Sequence, residues 1–316
     1  MDRDANLRAR EQATGLVVIA GGSGFLGRPL ARALAQDGHE VVILSRRPSP
    51  TPRDGLRAIE WTPDGSVGSW ASVVSGAAAV VNLAGESIAA KRWTAPQKQR
   101  IRDSRVLATR SLAGAIERAD SPPPVFVSGS ATGYYGPRGD ELVTEEHAAG
   151  TDFLAHVAGA WEAEATRAHA RTRVVCVRTG LVLARDGGAL PKMLPPFWIG
   201  AGGAVGSGRQ YWPWIHRQDW IDLVRVAIRN PAVSGPINAT APSPVTNAEF
   251  ARTLGQALRR PAFLPAPAFA LKLLLGEMAE ALLLSGQRAI PAKAERLGYT
   301  FTFKRLDDAL RSIFSR

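Results

Sequence analysis

Along the first half of the chain, short apolar runs alternate with stretches of helical periodicity. The runs are GLVVIAG (15–21), HEVVILS (39–45), LRAIEW (56–61), AAVVNLAG (78–85), PVFVSGS (124–130) and TRVVCVRTG (172–180). Between them lie PLARALAQDG, WASVVSGA, QKQRIRDSRVLATRSLAGAIERA and TDFLAHVAGAWEAEATRA. Nearly continuous Val, Ile and Leu marks strands covered by helices on both faces. Strands alternating with helices predict crossover units and a parallel sheet, so the fold class is α/β. In the last of these stretches Thr151 or Asp152 is suited to cap a helix. Phe153, Leu154, Val157 and Trp161 then fall near one of its faces.

After about residue 181 the pattern changes. ARDGGALPKMLPPFWIGAGGAVGSGRQYWPW is rich in Gly, Pro and Trp and reads as a loop-dominated wall, not an independent fold. DWIDLVRVAIRN reads as a helix, GPINATAP as a short strand and turn, and YTFTF (299–303) as a small strand. The apolar stretch 262–284 contains Pro265, Pro267, Lys272, Glu277 and Glu280. A membrane span needs about 20 apolar residues with few or no charges, so an amphipathic helix lying on a core is expected instead. The expected organisation is a leader over 1–14, a dinucleotide-binding unit over 15–180 and a smaller, mostly helical substrate lobe over 181–316. Within that lobe, 217–238 is expected to pack back on the first unit.

Composition narrows this little. The chain has 316 residues, 45% of them hydrophobic and 21% charged, an ordinary balance. Its single cysteine, Cys176, lies in an apolar run, which excludes a disulfide framework and predicts a buried thiol. The polar start MDRDANLRAREQATG lacks the apolar core of a secretory signal; a disordered leader and a cytoplasmic location are expected. The net charge of +11 would permit nucleic-acid binding, but the arginines are scattered and form no five-residue block. Arg-rich exposed helix faces are expected, with no nucleic-acid and no membrane partner and no metal site.

The chemistry begins at VVIAGGSGFLGRPLARAL. Gly21, Gly24 and Gly27 stand between the first strand and the first helix. A tight turn there needs residues without a β-carbon. Backbone amides from Gly21 through Phe25, Leu26 and Gly27 then face a pyrophosphate, and the helix dipole favours its charge. At the end of the second strand an NAD site usually carries Asp or Glu for the ribose 2′-hydroxyl. Here the residues are Ser45, Arg46 and Arg47. A hydroxyl and a guanidinium suit a 2′-phosphate, which a carboxylate would repel. The expected cofactor is NADP(H).

GGSGFLG, VVNLAG and VSGSATGYYG together resemble an extended short-chain dehydrogenase/reductase. More narrowly, the chain is similar to the "epimerase family" branch, an NAD-dependent epimerase/dehydratase with an added C-terminal domain of unknown function. The stretches that carry this are NLAGESIAAKRWTAPQKQRIRDSRVLATRSL, WEAEA, VRTGLVLARDGGALPKMLPPFWIGAGGAVGSGRQYWPWIH and GQRAIPAKAERLGYTF. The resemblance implies a Rossmann doubly wound sheet and NADP(H) binding. It places Leu83, Ala84 and Gly85 under the cofactor. It puts Ser128 and Ser130 where the family holds its catalytic Ser or Thr, and Thr179 and Gly180 beside the nicotinamide.

One part of the family pattern is missing. The usual enzymes carry Tyr-x-x-x-Lys on a helix, the Tyr exchanging a proton while the Lys lowers its pKa and holds the ribose. Here Tyr134 is followed at four by Arg138, Tyr135 by Gly139, Tyr211 by Ile215 and Tyr299 by Phe303. If Glu162 matches the family's helix glutamate, the pair falls on Leu154 and Ala158; shifted by two, on His156 and Ala160. The candidates to replace it are Ser130, as a hydrogen-bond donor to a carbonyl, Tyr134, as a proton donor, and His156.

The substrate pocket is expected where the C-terminal strand ends meet the second lobe. Glu86, Lys91, Arg92 and Trp93 follow the fourth strand, while Lys192, Arg209, Trp212 and His216 come from the Gly/Trp wall. Their basic side chains suggest an anionic or polar small molecule. The competing reading has the tryptophans packing the lobe interface. In WIHRQDW, Asp219 is expected to cap the following helix. Pairing of two copies through the core helices is expected from fold analogy. Two functions compete: an NADP(H)-dependent oxidoreductase or epimerase-like enzyme, and a non-catalytic NADP(H)-binding regulator.

Overall fold

A computed structural model describes residues 15–48 and 56–315; the leader expected at 1–14 lies outside them. The main sheet has seven parallel strands: β1 Leu16–Ala20, β2 Glu40–Ser45, β3 Arg57–Glu60, β4 Ala79–Asn82, β5 Val125–Ala131, β6 Arg173–Thr179 and β7 Gly235–Ala239. Their order is β7-β6-β5-β4-β1-β2-β3. The principal helices are α1 Gly27–Gln36, α2 Ala95–Arg118, α3 Phe153–Thr166, α4 Leu190–Trp198, α5 Arg217–Arg229, α6 Asn247–Leu258, α7 Ala268–Leu275 and α8 Leu306–Phe314. This is the parallel α/β sheet that the alternating pattern predicted, in the Rossmann arrangement that the family resemblance implied.

Alternation along β1 divides the core. Val17 and Ile19 face Leu30 and Leu34 of α1 and Trp220 and Val224 of α5. Val18 and Ala20 face Leu112 and Ile116 of α2. Both layers are fully desolvated, so the sheet is a rigid platform. Cys176 belongs to the second layer, and burial pushes its thiol up to about 12, as its apolar setting led us to expect. Strand order reverses between β1 and β4, where Ala20 lies opposite Asn82. Ligands of open α/β sheets bind in the crevice beyond such a switch point.

The segment 217–238 returns to this core. The short strand expected in GPINATAP is the seventh strand of the sheet, with Gly235 opposite Val175 and Ala239 opposite Thr179. α5 is tied to the end of α1 by Arg225 and Arg229, both paired with Asp37. The remaining C-terminal helices α4, α6 and α8 close on a separate core around Trp214, Phe250 and Leu310.

Two expectations are corrected. The stretch 262–284 is not one helix on a core: Gly276, at φ +63°, breaks it. Met278 and its neighbours are packed among apolar partners, and Leu275 joins them, while Phe269, Leu273 and Leu274 of α7 are exposed. YTFTF forms no strand, because the amides of Thr302 and Phe303 donate instead to the Asp219 carboxylate, at 2.7 and 2.9 Å. Among the described residues no helix is long and apolar enough to cross a membrane.

Candidate cofactor and substrate site

The glycine turn is wound tightly onto the end of β4. Gly21 has φ +76°, and a β-carbon on it would stand 2.6 Å from the Leu83 carbonyl. One on Gly27 would stand 2.3 Å from Gly21 O. Gly24 differs: its β-carbon would meet Gly21 O at 3.2 Å and otherwise open space. Leu26 heads α1 with no side-chain cap, and the first turn holds no acidic residue. An uncapped helix start beside an open glycine is what a pyrophosphate requires, so the residues present fit a dinucleotide. Leu83 N donates to Ala20 O at 2.8 Å, and Ala84 N donates to Asn82 Oδ1 at 3.1 Å, which sets the turn through Gly85. Phe25 is turned the other way, its ring packed against Gly187 and Gly188 of the second lobe. It joins the turn to that lobe.

At the end of β2, Ser45 Oγ accepts from Arg47 N at 3.2 Å, which leaves its hydrogen to give. Arg46 and Arg47 are exposed, and among the described residues neither has a carboxylate partner. Both guanidinia are therefore available to an anion.

Beyond the end of β5 lies a buried polar network. Ser130 Oγ donates to Glu162 Oε1 at 2.6 Å. Arg178 donates to both oxygens of the same carboxylate, Nε at 2.8 Å and Nη2 at 2.9 Å. Burial alone would lower the Arg178 pKa; the Glu162 carboxylate outweighs it and holds the guanidinium above the usual arginine range. Arg178 Nη1 donates to Tyr135 OH, which in turn donates to Asn238 Oδ1 at 2.6 Å. Burial pushes the Tyr135 phenol up to about 12. The Arg178 guanidinium also lies over the Tyr134 ring, 3.5 Å from its centroid. Sequence reasoning used Glu162 only to set a register and missed Arg178, since their contact joins residues on different elements.

The structure amends several expected roles. Ser130 is 4% exposed and its hydrogen is given to Glu162, so donation to a carbonyl requires that bond to be exchanged. Ser128 is fully buried with its hydroxyl on Gly129 O, so it lines the sheet and not the crevice. Thr179 Oγ1 accepts from Trp220 Nε1. A β-carbon on Gly180 would stand 2.5 Å from Pro213 O, so that glycine lets two backbones cross. His156 is exposed on α3. Leu154 packs toward Trp93, Ile101 and Met278, and Ala158 is buried. Neither setting offers a proton.

Among the residues expected around the substrate, Trp93 is buried, edge-on to Phe153, with its indole N–H on Ile88 O. Trp212 is likewise packed, against Phe250. Trp93 therefore packs across the lobe boundary, against Met278, whereas Trp212 lies inside the core of the C-terminal helices and not at the lobe interface. Glu86 accepts from Gln97 Nε2 at 2.9 Å. Arg92 lies along Gly276. Lys192 Nζ donates to Ala89 O at 3.4 Å. Lys192, Arg92 and Arg209 are exposed. The cap of α5 is not Asp219 but His216, whose Nδ1 accepts from Gln218 N at 3.1 Å. The His216 ring also stacks on Phe303, and burial with the neighbouring Arg217 charge pushes its pKa down to about 4.

Comparison with known proteins agrees with this architecture. Residues 17–239 match the NAD dependent epimerase/dehydratase family, and residues 266–313 match a domain of unknown function, DUF1731. The chain is 41% identical over 303 residues to a chloroplastic "Epimerase family protein SDR39U1 homolog" of Arabidopsis thaliana, covering 94% of this chain and 86% of that one. Against human "Epimerase family protein SDR39U1" it is 39% identical, over 94% of this chain and 99% of that one. The crystal structure of the human protein with NADPH superposes with a TM-score of 0.87 at 38% identity, over 95% of this chain and 99% of that one. A nucleoside-diphosphate sugar epimerase from Corynebacterium glutamicum superposes with a TM-score of 0.78 at 33% identity, over 98% of this chain and 62% of that one. With the fold, the glycine turn and these matches together, the chain belongs to the NAD-dependent epimerase/dehydratase family.

Proposed function

We propose that this protein is an NADP(H)-dependent oxidoreductase of epimerase type that acts on a small, anionic molecule without a Tyr-x-x-x-Lys pair. The observation that carries the reading is the pairing of an open glycine turn with a second strand ending in Ser45, Arg46 and Arg47, where an acidic residue would mark NAD. The NADPH bound to the human relative agrees with it. Amides near Gly24 and Leu26 bind the pyrophosphate, and Arg46 with Ser45 binds the 2′-phosphate. The bound nicotinamide supplies or accepts hydride. Ser130 directs its hydroxyl hydrogen at the Glu162 carboxylate, and Arg178 fixes that carboxylate. A substrate oxygen that displaces Glu162 as acceptor is polarised by the Ser130 hydroxyl. Tyr134, held flat on Arg178, is the second proton donor available at this wall. Lys192, Arg92 and Arg209 attract the anionic part of the substrate toward the opening.

One observation favours a second reading. In the register set by Glu162, the positions of the missing pair, Leu154 and Ala158, face apolar packing or are buried. A non-catalytic NADP(H)-binding regulator would tolerate that. NADPH oxidation measured against a panel of carbonyls, enones and imines separates the two. The enzyme reading expects turnover, reduced at least about 100-fold by Ser130→Ala. Tight NADPH binding with no turnover across the panel would establish the regulator in its place.

A further inference from the structure

The lysine absent from α3 raises the question of what stands on the nicotinamide side of the cofactor. Several arginines have a carboxylate partner. Arg178 has Glu162, Arg110 has Glu164, and Arg225 has Asp37 and Asp222. Arg173 has none, but three backbone carbonyls take its hydrogens. Arg105 has neither. Its Nη1 donates to Ile101 O at 2.9 Å, one turn back on its own helix, and no other acceptor among the described residues takes its remaining N–H groups. A guanidinium carries five such groups in a fixed fork. Glu86 acts on it only from a distance and is itself held by Gln97.

The position of Arg105 is defined by two contacts. A β-carbon on Gly85 would stand 3.1 Å from its Cζ, so the guanidinium lies against the turn after β4. That is the turn wound under Gly21. The guanidinium also lies over the Trp161 ring, 5.3 Å from its centroid. Trp161 stands one helical turn past Ala158 on α3, on the same face. Arg105 therefore enters from α2 the space between the end of β4 and the face of α3 from which, in the register set by Glu162, a lysine at 158 would emerge. Arg105 is half-buried; partial loss of water pulls its pKa down to about 10 against the raising effect of Glu86, which leaves it cationic at neutral pH with no carboxylate in contact. A half-buried guanidinium with N–H groups unused by the protein is placed to donate to a ligand.

We propose that Arg105 is the ribose-binding cation of this protein, donating from α2 to the hydroxyls of the nicotinamide-side ribose in place of the lysine that α3 lacks. The proposal rests on the NADP(H) reading. It makes the nicotinamide half of the cofactor depend on α2, and it leaves the adenosine half to the glycine turn and to Arg46.

Two probes divide the cofactor accordingly. NADPH contains both halves, whereas 2′,5′-ADP lacks the nicotinamide riboside. Calorimetry on the full chain, with wild type, Arg105→Gln and Arg105→Lys, tests the division. The expected result is that Arg105→Gln weakens NADPH about tenfold or more and leaves 2′,5′-ADP within about twofold. Arg105→Lys keeps most of the NADPH affinity. Retained 2′,5′-ADP binding also shows that each variant is folded. Unchanged NADPH affinity in Arg105→Gln, or equal loss of both probes in both variants, overturns the proposal. Wild-type protein that binds neither probe overturns the NADP(H) reading itself.

Discussion

Ser130 Oγ gives its hydrogen to Glu162 Oε1 at 2.6 Å, inside a carboxylate that Arg178 already holds at both oxygens. The end of β5, the middle of α3 and the end of β6 are fastened together at this point. Removing Glu162's charge leaves Arg178, 3% exposed, without its counter-ion. Glu162→Gln is expected to lower unfolding free energy by about 3 kcal/mol, and Ser130→Ala by about 1–2 kcal/mol. The double variant should cost less than the sum, because the two changes share one interaction. Urea unfolding of the three variants checks this; a Glu162→Gln loss below about 1 kcal/mol would show the pair to be dispensable.

A second anchor joins Asp219 to the segment after Tyr299. Its carboxylate accepts two backbone amides, so Asp219→Ala leaves both partly buried donors without that acceptor. The expected loss is about 3 kcal/mol, with Asp219→Asn roughly half as damaging because one acceptor remains. Full stability in Asp219→Asn would contradict this anchoring and favour a helix-capping role.

The cap of α5 makes stability depend on pH. His216 accepts Gln218 N through a neutral ring, and its pKa is about 4 in the fold against an ordinary 6.5. Below 6.5 the unfolded chain takes up a proton that the folded chain does not, so protonation favours unfolding. Its contribution is therefore complete above about 6.5 and falls away as pH drops toward 4. Asn is an effective cap without a titrating ring. Thermal unfolding of His216→Asn should lack this part of the acid decline; an unchanged decline would contradict the assignment.

The glycines of the turn are predicted to differ. Gly27→Ala forces a β-carbon onto Gly21 O and should lower both stability and dinucleotide affinity. Gly24→Ala meets mainly open space, so it should keep the melting temperature within a few degrees while weakening NADPH. Equal melting losses for the two would indicate that Gly24 serves packing alone.

Much of this architecture is written locally in the chain. Six strands announce themselves as continuous Val/Ile/Leu, and Gly21, Gly24 and Gly27 mark the turn between strand and helix. Ser45-Arg46-Arg47 is legible because it directly ends a strand. What was not legible depends on partners far along the chain. YTFTF has the alternation of a strand, but Asp219, eighty residues earlier, takes its amides. Stretch 262–284 has the composition of a core helix, yet Gly276 breaks it and Phe269, Leu273 and Leu274 are left exposed. Ser130 has the position of a donor, and only the fold shows that Glu162 receives its hydrogen. Arg105 looks like one more exposed helix arginine until Gly85 and Trp161 are found beside it.

The central claim is that the turn over 21–27 grips a pyrophosphate while Arg46 grips a third phosphoryl group. Calorimetry with ligand-free protein tests it, using NADPH and NADH on wild type and on Arg46→Glu. The account predicts that wild type prefers NADPH, and that Arg46→Glu loses at least about tenfold in NADPH affinity while NADH changes little. Equal losses for the two dinucleotides, or no association of wild type with either oxidation state of the phosphorylated form, would contradict it.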